Sequence, residues 1–353
     1  MAKERIVWID ALNIMACAGV FLLHCTNKEV HAFSGTPSAN WYIGLFTHSF
    51  VLWPVNIFFM LSGFTLMRKS LIHDNRQDAW GGVKTFYMRR WQRLGVPLIL
   101  WNLFYMCVHI FTLYLKGEPM ETIPTLVRKF VLFEYNGFMW FFVPLILIYL
   151  SMPFLAVFVL NAGRKLLRLF LITGLLLSWI PPLDADFTAR NTLADIYLLG
   201  SRFLYFTVLG YYVGHYEISR ATGRRIYMTG ILSMIVMYAG TALLTLYAPG
   251  HYKYFLQYTN VPCILSATAV FLFVKNYDWQ RLLARLHIRE ESLAHYSSLS
   301  LGIYLVQSIG FKALHYFKIP ESVILIRFVV MYAFCVLIVW VMKRIPLVKG
   351  LVP

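Results

Sequence analysis

Long apolar segments alternate with short polar segments along almost the whole chain. Most are long enough to cross a bilayer as a helix, for which about 20 apolar residues suffice. Their apolar residues are continuous and do not alternate with polar ones, so they indicate helices and not the strands of a membrane barrel. We predict an all-α polytopic membrane protein with about ten spanning helices, at residues 6–26, 41–66, 94–115, 138–160, 166–181, 196–215, 226–247, 258–275, 296–312 and 322–342.

Composition agrees with a membrane protein. The chain has 353 residues, of which 59% are hydrophobic and only 14% are charged, and its mean hydropathy is +0.63. A soluble domain usually has about 25% charged residues. No polar segment is long enough to form a separate soluble domain, and the chain shows no internal repeat. We therefore expect residues 1–353 to form a single transmembrane domain.

The formal net charge of +16 is unevenly distributed between the two sides of the predicted bundle. Most of the 32 Lys and Arg residues fall in the N-terminal segment and in the alternate loops that share its side of the membrane. Because cytoplasmic loops carry the excess of Lys and Arg, we expect both termini in the cytoplasm. The excess of positive charge is then explained by the cytoplasmic loops. We therefore expect membrane lipids and no nucleic acid as partners.

The first apolar segment carries three polar side chains, Asp10 and Asn13 near its start and His24 near its end. On a helix that rises about 1.5 Å per residue, Asn13 lies about 16 Å and Asp10 about 21 Å from His24 along the axis. Asp10 is therefore expected at the cytoplasmic entrance, where it pairs with an arginine or caps the helix. Two interpretations of His24 stay open: a packed or interfacial histidine, or a general base that faces a cavity.

The loop between the second and third predicted helices is strongly basic and includes Arg89, Arg90 and Arg93. Such residues contact anionic lipid headgroups in many membrane proteins. Alternatively, Arg90 and Arg93 lie three residues apart on one helical face, where their forked donors suit phosphate groups. Both interpretations stay open at this point.

Other polar or small residues lie within the predicted helices. The small residues Ser62 and Gly63 indicate either close packing of two helices or a gap between helices through which a narrow arm of the substrate passes. Arg202 and Arg327 either extend to the interface, as long basic side chains near a helix end do, or line a cavity that holds an acceptor or an oxyanion. Their candidate carboxylate partners, which are also candidates for His24, are Asp184, Asp186 and Asp195. The histidines and cysteines lack metal-ligand spacing, so we expect no metal.

Several stretches, in order along the chain, resemble the acyltransferase 3 family of integral-membrane acyltransferases. The stronger ones are Arg5-x4-Asp10-Ala-Leu-Asn13 with the apolar run to His24, the Phe-Phe-x-x-Ser-Gly-Phe pattern within Val55–Phe64, and Arg-x-x-Arg within Phe86–Pro97. Weaker ones are Met139–Pro144, Leu209–Gly214 and Ser300–Gln307. Two positions depart from the family's pattern: Asn13 stands where Arg or Lys is common, and Gln307 stands where His is common.

The resemblance implies that an acyl group, usually acetyl, moves from cytoplasmic acyl-CoA to a hydroxyl of a cell-surface or lipid-linked glycan. It implies that His24 is the catalytic general base, supported by Asp10 and Asn13 in the same helix. Acyl-CoA would be bound by Arg89, Arg90, Arg93 and Ser62. The acceptor or oxyanion side would include Arg202, Arg327, Tyr304 and Gln307.

The expected donor substrate is acetyl-CoA, and the expected location is a cell membrane, specifically a bacterial plasma membrane. The rival interpretation is a transporter or flippase for a glycan or lipid, because intramembrane His, Arg and Asp residues suit that function equally well. Transporters often contain internal repeats, and the lack of a clear repeat in this sequence favours the enzyme.

Overall fold

The computed structural model of the protein describes residues 6–31, 37–68, 71, 79–179, 203–248, 253–316 and 323–353. Within these residues the secondary structure is helical and contains no strand. The prediction of an all-α protein is thus confirmed.

The α-helices of the described residues are numbered in chain order. They are α1 (Val7–His31), α2 (Ala39–Phe50), α3 (Pro54–Leu66), α4 (Ala79–Arg90), α5 (Val96–Lys116), α6 (Ile123–Val131), α7 (Phe142–Asn161), α8 (Arg164–Leu177), α9 (Leu204–His215), α10 (Arg220–Tyr247), α11 (Val261–Asn276), α12 (Trp279–Leu286), α13 (Glu290–Tyr316) and α14 (Ile324–Arg344). A π-helical turn, Trp91–Gly95, joins α4 to α5, and 3-10 turns precede α7 and α11.

Seven helical segments within the described residues are long and apolar enough to span a membrane: Val7–His31, Ala39–Leu66, Trp80–Lys116, Gly137–Asn161, Arg220–Tyr247, Tyr254–Asn276 and Ile324–Arg344. Helices α8, α9 and α13 lie at the other three predicted positions. The number of ten spans and the cytoplasmic location of both termini stay predictions.

Two helix boundaries near the candidate site differ from those predicted from the sequence. Helix α1 continues to His31, and not only to residue 26, with Lys28 and His31 in its last turn, where positive charge is favoured. The predicted helix 41–66 is divided at Val51 into α2 and α3. The division has a local cause, because Pro54 has no N–H and suits the first turn of a new helix.

The third predicted helix begins far earlier than residue 94. Helical structure is continuous from Ala79 through the π turn to Lys116 and ends at Gly117, which has a φ of 67°. Glycine adopts this left-handed conformation without a steric penalty, so it is a common residue just past a helix. A π turn is a rare insertion that often marks a functional site.

By its internal contacts the chain forms two compact units. The first unit comprises Met1–Arg68, Val157–Ser297 and Pro320–Val329. In it, α3 packs closely on α9: a Cβ added at Gly63 would lie 1.8 Å from the carbonyl oxygen of Thr207, and one added at Gly210 would lie 2.0 Å from that of Met60. These two glycines let the backbones of α3 and α9 touch.

The second unit comprises Lys69–Ala156, Ser298–Ile319 and Val330–Pro353. The indole N–H of Trp101 on α5 donates to the carbonyl oxygen of Leu351 at 3.0 Å. Tyr87 on α4 donates to the carbonyl oxygen of Leu150 on α7 at 2.8 Å. These bonds join its helices to one another and to the C-terminal turn. That residues 1–353 make a single domain stays a prediction.

Candidate functional site

His24 lies in the C-terminal half of α1 with a half-buried side chain. Its Nδ1 atom is 3.4 Å from Nδ2 of Asn27, which follows it by about one helical turn. The imidazole is thus next to an amide of its own helix and still reaches the protein surface. This combination suits a group that exchanges protons with a ligand.

A buried ion pair follows His24 at the end of α1. Arg327 on α14 is 4% exposed, and its Nη2 atom lies 2.7 Å from Oε1 of Glu29. Nη1 donates to Oε2 of Glu29 at 3.3 Å and to the carbonyl oxygen of Cys25 at 2.6 Å. The arginine therefore binds both the residue after His24 and the last turn of α1.

This ion pair excludes one of the two interpretations of Arg327, namely that its side chain extends to the membrane interface. The side chain does not extend to an exposed interface, because it is buried and its guanidinium is bound by protein groups. Its Nε atom is buried and has no hydrogen-bond partner within the described residues. The other predicted basic residue of this kind, Arg202, lies outside the described residues, as do Asp184, Asp186 and Asp195.

A second histidine packs beside the same part of α1. Nδ1 of His48 on α2 is 2.9 Å from Oγ1 of Thr26, and the Thr26 hydroxyl donates to the carbonyl oxygen of Leu23 at 2.7 Å. A hydroxyl has one proton, so His48 must be the donor to Thr26, with its proton on Nδ1. The His31 ring meets the His48 ring edge to face at 5.7 Å. The end of α1 is therefore rich in imidazoles with defined partners.

The polar residues at the other end of α1 bind different elements. Nδ2 of Asn13 donates to the carbonyl oxygen and to Oγ of Ser297 on α13, at 3.0 Å in each case. Asp10 is buried in the first turn of the helix. Because α1 is one continuous helix, Asp10 lies about 21 Å from His24 along the axis. Neither Asp10 nor Asn13 can therefore orient the imidazole of His24.

Ser62 on α3 is 9% exposed, and its hydroxyl donates to the carbonyl oxygen of Phe58 at 2.9 Å. Since α9 fills the space beside Gly63, the structure favours close helix packing over a passage at this position. A contact of Ser62 with acyl-CoA stays a prediction.

The three arginines before α5 occupy different environments. The guanidinium of Arg90 lies over the rings of Phe86 and Tyr149, at 5.8 and 5.7 Å from their centroids, and its Nε atom is buried without a hydrogen-bond partner within the described residues. Arg89 and Arg93 are exposed, and the π turn carries Arg93. The exposed pair is free to bind a polyanion, whereas Arg90 is held by aromatic rings.

Tyr304 and Gln307 both lie on α13 in the second unit. The Tyr304 hydroxyl donates to the carbonyl oxygen of Phe138. Gln307 is 0% exposed, and neither atom of its amide has a hydrogen-bond partner within the described residues. Among the residues that the structure describes, no group of three or more His, Cys, Asp or Glu residues is placed to hold a metal ion.

Three residues near His24 were missed by sequence reasoning: Asn27, Glu29 and His48. Asn27 and Glu29 follow Thr26, where the apolar pattern and the predicted helix end. Continuing the helix by one turn would have put Asn27 beside His24. Nothing in the sequence pattern pairs His48 with Thr26, and only the packing of α2 shows this contact.

Helices long and apolar enough to span a membrane, the first of which carries the half-buried His24, define a helical membrane protein. A family model described as an acyltransferase domain, that of the acyltransferase 3 family, matches residues 6–344. The match covers nearly the whole chain, so the protein belongs to this family and is a membrane acyltransferase. No curated protein and no solved structure matches the chain.

Proposed function

We propose that this membrane acyltransferase moves an acetyl group from cytoplasmic acetyl-CoA to a hydroxyl of a cell-surface or lipid-linked glycan. The observation that carries the proposal is the half-buried His24 next to Asn27, in a helix whose end is held by the Arg327–Glu29 pair. Family membership favours this reaction over the rival function of a transporter or flippase.

His24 acts as the general base. With its amide rotated so that Oδ1 faces the ring, Asn27 accepts a hydrogen bond from Nδ1–H, which places the basic lone pair of the imidazole on Nε2. Nε2 takes the proton of the acceptor hydroxyl while the hydroxyl oxygen attacks the thioester carbonyl carbon. The C–S bond then breaks, and the leaving CoA sulfur receives the proton from His24. The products are the ester and CoA thiol.

The exposed arginines, Arg89 and Arg93, bind the phosphates of the donor. Coenzyme A is polyanionic, and guanidinium groups that are open to solvent suit it. Arg90, held over Phe86 and Tyr149, adds positive charge next to them and fixes the end of α4. In the proposed orientation this segment faces the cytoplasm of a bacterium, and the chain lies in its plasma membrane.

A donor-binding assay tests the arginines. Arg89→Ala/Arg93→Ala should weaken acetyl-CoA binding to the purified full chain by at least about tenfold, the value for a charge-assisted bond of about 1.5 kcal/mol. Lys84→Ala is the matched control, because Lys84 is also exposed and also lies on α4. Equal affinity of the double variant and the control would remove the donor site from this segment.

Acetyl transfer in membranes tests the function itself. Wild-type membranes supplied with radiolabelled acetyl-CoA should transfer label to glycan and release CoA. His24→Ala should abolish transfer, whereas His109→Ala should not, since His109 lies on α5 and contacts Glu121. If acetyl-CoA neither stabilises the protein thermally nor loses its acetyl group, the transporter becomes the better interpretation.

A further inference from the structure

Two arginines at the start of α8 converge on one tyrosine of α9. Nε of Arg168 donates to the hydroxyl oxygen of Tyr212 at 2.8 Å, and Nε of Arg164 donates to the same oxygen at 3.5 Å. All three residues belong to the first unit. We call Arg164 and Arg168 the α8 arginines. They lie one helical turn apart, and the proposed reaction does not use them.

The α8 arginines are exposed but held in place. Nη2 of Arg164 donates to the carbonyl oxygen of Glu217 at 2.7 Å, and its guanidinium lies 5.2 Å from the centroid of the Tyr216 ring. That ring in turn contacts the ring of Tyr212, at 4.9 Å between centroids. A basic side chain that is already ordered loses less entropy when it binds a ligand.

Their positive charges lie close together. Both Nε atoms are within 3.5 Å of one neutral oxygen, and within the described residues no ion pair joins either α8 arginine to a carboxylate. Like charges one turn apart destabilise a helix, so a bound anion would relieve the repulsion. The excess of basic residues in cytoplasmic segments explains two arginines here, but not their convergence on one phenol.

The unused donors at this position suit a phosphate group. Both Nη atoms of Arg168 and Nη1 of Arg164 make no hydrogen bond to the residues that the structure describes. Tyr212 accepts both arginine bonds, so its O–H proton is left for another acceptor. Guanidinium groups and a hydroxyl together can donate several bonds, most of them charge-assisted, to the oxygens of one phosphate.

An apolar surface continues from the α8 arginines along the same helix. Four exposed residues at intervals of four positions form a ridge in which each is a neighbour of the next: Arg164, Arg168, Ile172 and Leu176. Ile172 is 56% exposed and Leu176 is 63% exposed. The ridge extends about 12 Å beyond Arg168. It therefore changes from charged to apolar in the way that a phospholipid changes from phosphate to acyl chain.

We propose that the α8 arginines and Tyr212 bind the phosphate of an anionic phospholipid, whose acyl chain lies along Ile172 and Leu176. A soluble phosphate would leave the apolar part of the ridge uncovered. A zwitterionic headgroup brings a positive amine close to two guanidinium groups, so it binds more weakly. The inference goes beyond the proposed function, because it concerns a lipid site and holds whether or not His24 is catalytic.

Native mass spectrometry of the purified full chain measures the binding. The probes are phosphatidylglycerol and phosphatidylcholine with the same acyl chains. Wild type should bind phosphatidylglycerol more tightly than phosphatidylcholine. Arg164→Gln/Arg168→Gln should lower the affinity for phosphatidylglycerol by at least about tenfold, as expected for the loss of charge-assisted bonds, and leave that for phosphatidylcholine nearly unchanged.

The matched control is Arg220→Gln/Arg224→Gln. These two arginines are also exposed and one turn apart at the start of a helix, α10, and the double variant removes the same charge. It should keep the wild-type affinity for phosphatidylglycerol. Equal losses in the two double variants would mean that the lipid responds to net charge alone, and would overturn the proposal.

Tyr212→Phe tests the site without any change of charge. It keeps the ring but removes the oxygen that holds both α8 arginines, so the affinity for phosphatidylglycerol should fall by about fivefold, the effect of one hydrogen bond. Wild-type affinity in this variant would contradict the proposal even if the double arginine variant failed to fold.

Competition separates the lipid from soluble phosphates. Inorganic phosphate and acetyl-CoA, each added to wild type at saturating phosphatidylglycerol, should leave the lipid bound. Displacement of phosphatidylglycerol by either compound would assign the site to a soluble phosphate, and the proposal would be wrong.

Discussion

The buried polar side chains around His24 and around Gln307 differ in how they are paired. Near His24, in the first unit, Arg327 binds Glu29 and the carbonyl oxygen of Cys25, and His48 binds Thr26. In the second unit, neither atom of the Gln307 amide has a hydrogen-bond partner within the described residues. Paired groups fix the geometry of a site, whereas an unpaired buried amide leaves its hydrogen-bonding capacity unused. We therefore expect the first region to position His24 and the second to tolerate the loss of its amide.

The largest effect on stability is expected at the buried ion pair. Arg327→Ala leaves the Glu29 carboxylate buried without its partner, so the free energy of unfolding should fall by about 3–5 kcal/mol. Replacing both residues, as in Glu29→Leu/Arg327→Leu, should recover much of this loss because no charge then remains buried. Denaturant unfolding in detergent gives both values.

The control for that measurement is the exposed pair of Arg128 and Glu134, with side chains 59% and 37% exposed. Arg128→Ala should change stability by no more than about 1 kcal/mol. An Arg327→Ala variant as stable as Arg128→Ala would show that the pair near His24 does not fix the end of α1.

A smaller effect is expected where single amides are exchanged in the two units. Asn56 in the first unit donates to the carbonyl oxygen of Tyr258 at 2.8 Å, so Asn56→Leu should cost about 1–3 kcal/mol. Gln307→Met in the second unit breaks no described bond and should be neutral or stabilising. Thermal unfolding of both variants measures this difference in stability. A larger loss of stability for Gln307→Met than for Asn56→Leu would contradict the expectation.

Asn27 is expected to act as a positioning residue for His24. Asn27→Ala should lower kcat roughly five- to tenfold with little change in either KM, because a single hydrogen bond contributes about 1 kcal/mol. Asn27→Asp should restore kcat, since a carboxylate also accepts a hydrogen bond from Nδ1–H. If both variants lower kcat equally, Asn27 has only a packing role.

The smallest effect on stability is expected at Glu121, which lies in neither of the two compared regions. A hydrogen bond from Lys129, together with one from His109, holds the pKa of this carboxyl below its ordinary value. A carboxyl with a lowered pKa stabilises the fold above its unfolded pKa of about 4.3 and loses that contribution as pH falls through its folded pKa. Unfolding midpoints between about pH 3 and 5 should therefore drop slightly less for Glu121→Gln than for wild type.

Much of the fold could be predicted from the sequence, because apolar length is the main signal for a membrane helix. The division at Pro54 and the π turn at Trp91–Gly95 could not, since both are local departures within long apolar runs. The early helix of Ala79–Arg90 was missed because glycines and basic residues interrupt its apolar residues, which follow no helical period.

Less of the candidate site could be predicted. The position of His24 and its separation from Asp10 follow from helix geometry alone. The pairing of Arg327 with Glu29 joins residues 298 positions apart, and nothing in the spacing of a single sequence indicates such a contact. The unpaired amides of Gln307 became visible only when burial and hydrogen bonds were known.

The most direct test of the central claim is the single-turnover rate of acetyl transfer by His24→Gln, with donor and acceptor both saturating. Under these conditions binding is complete, so the rate reports the chemical step alone. The account predicts a rate lower by at least about 100-fold, as expected for loss of a general base, with acetyl-CoA affinity unchanged. A rate within a factor of about two of wild type would contradict a catalytic role for His24.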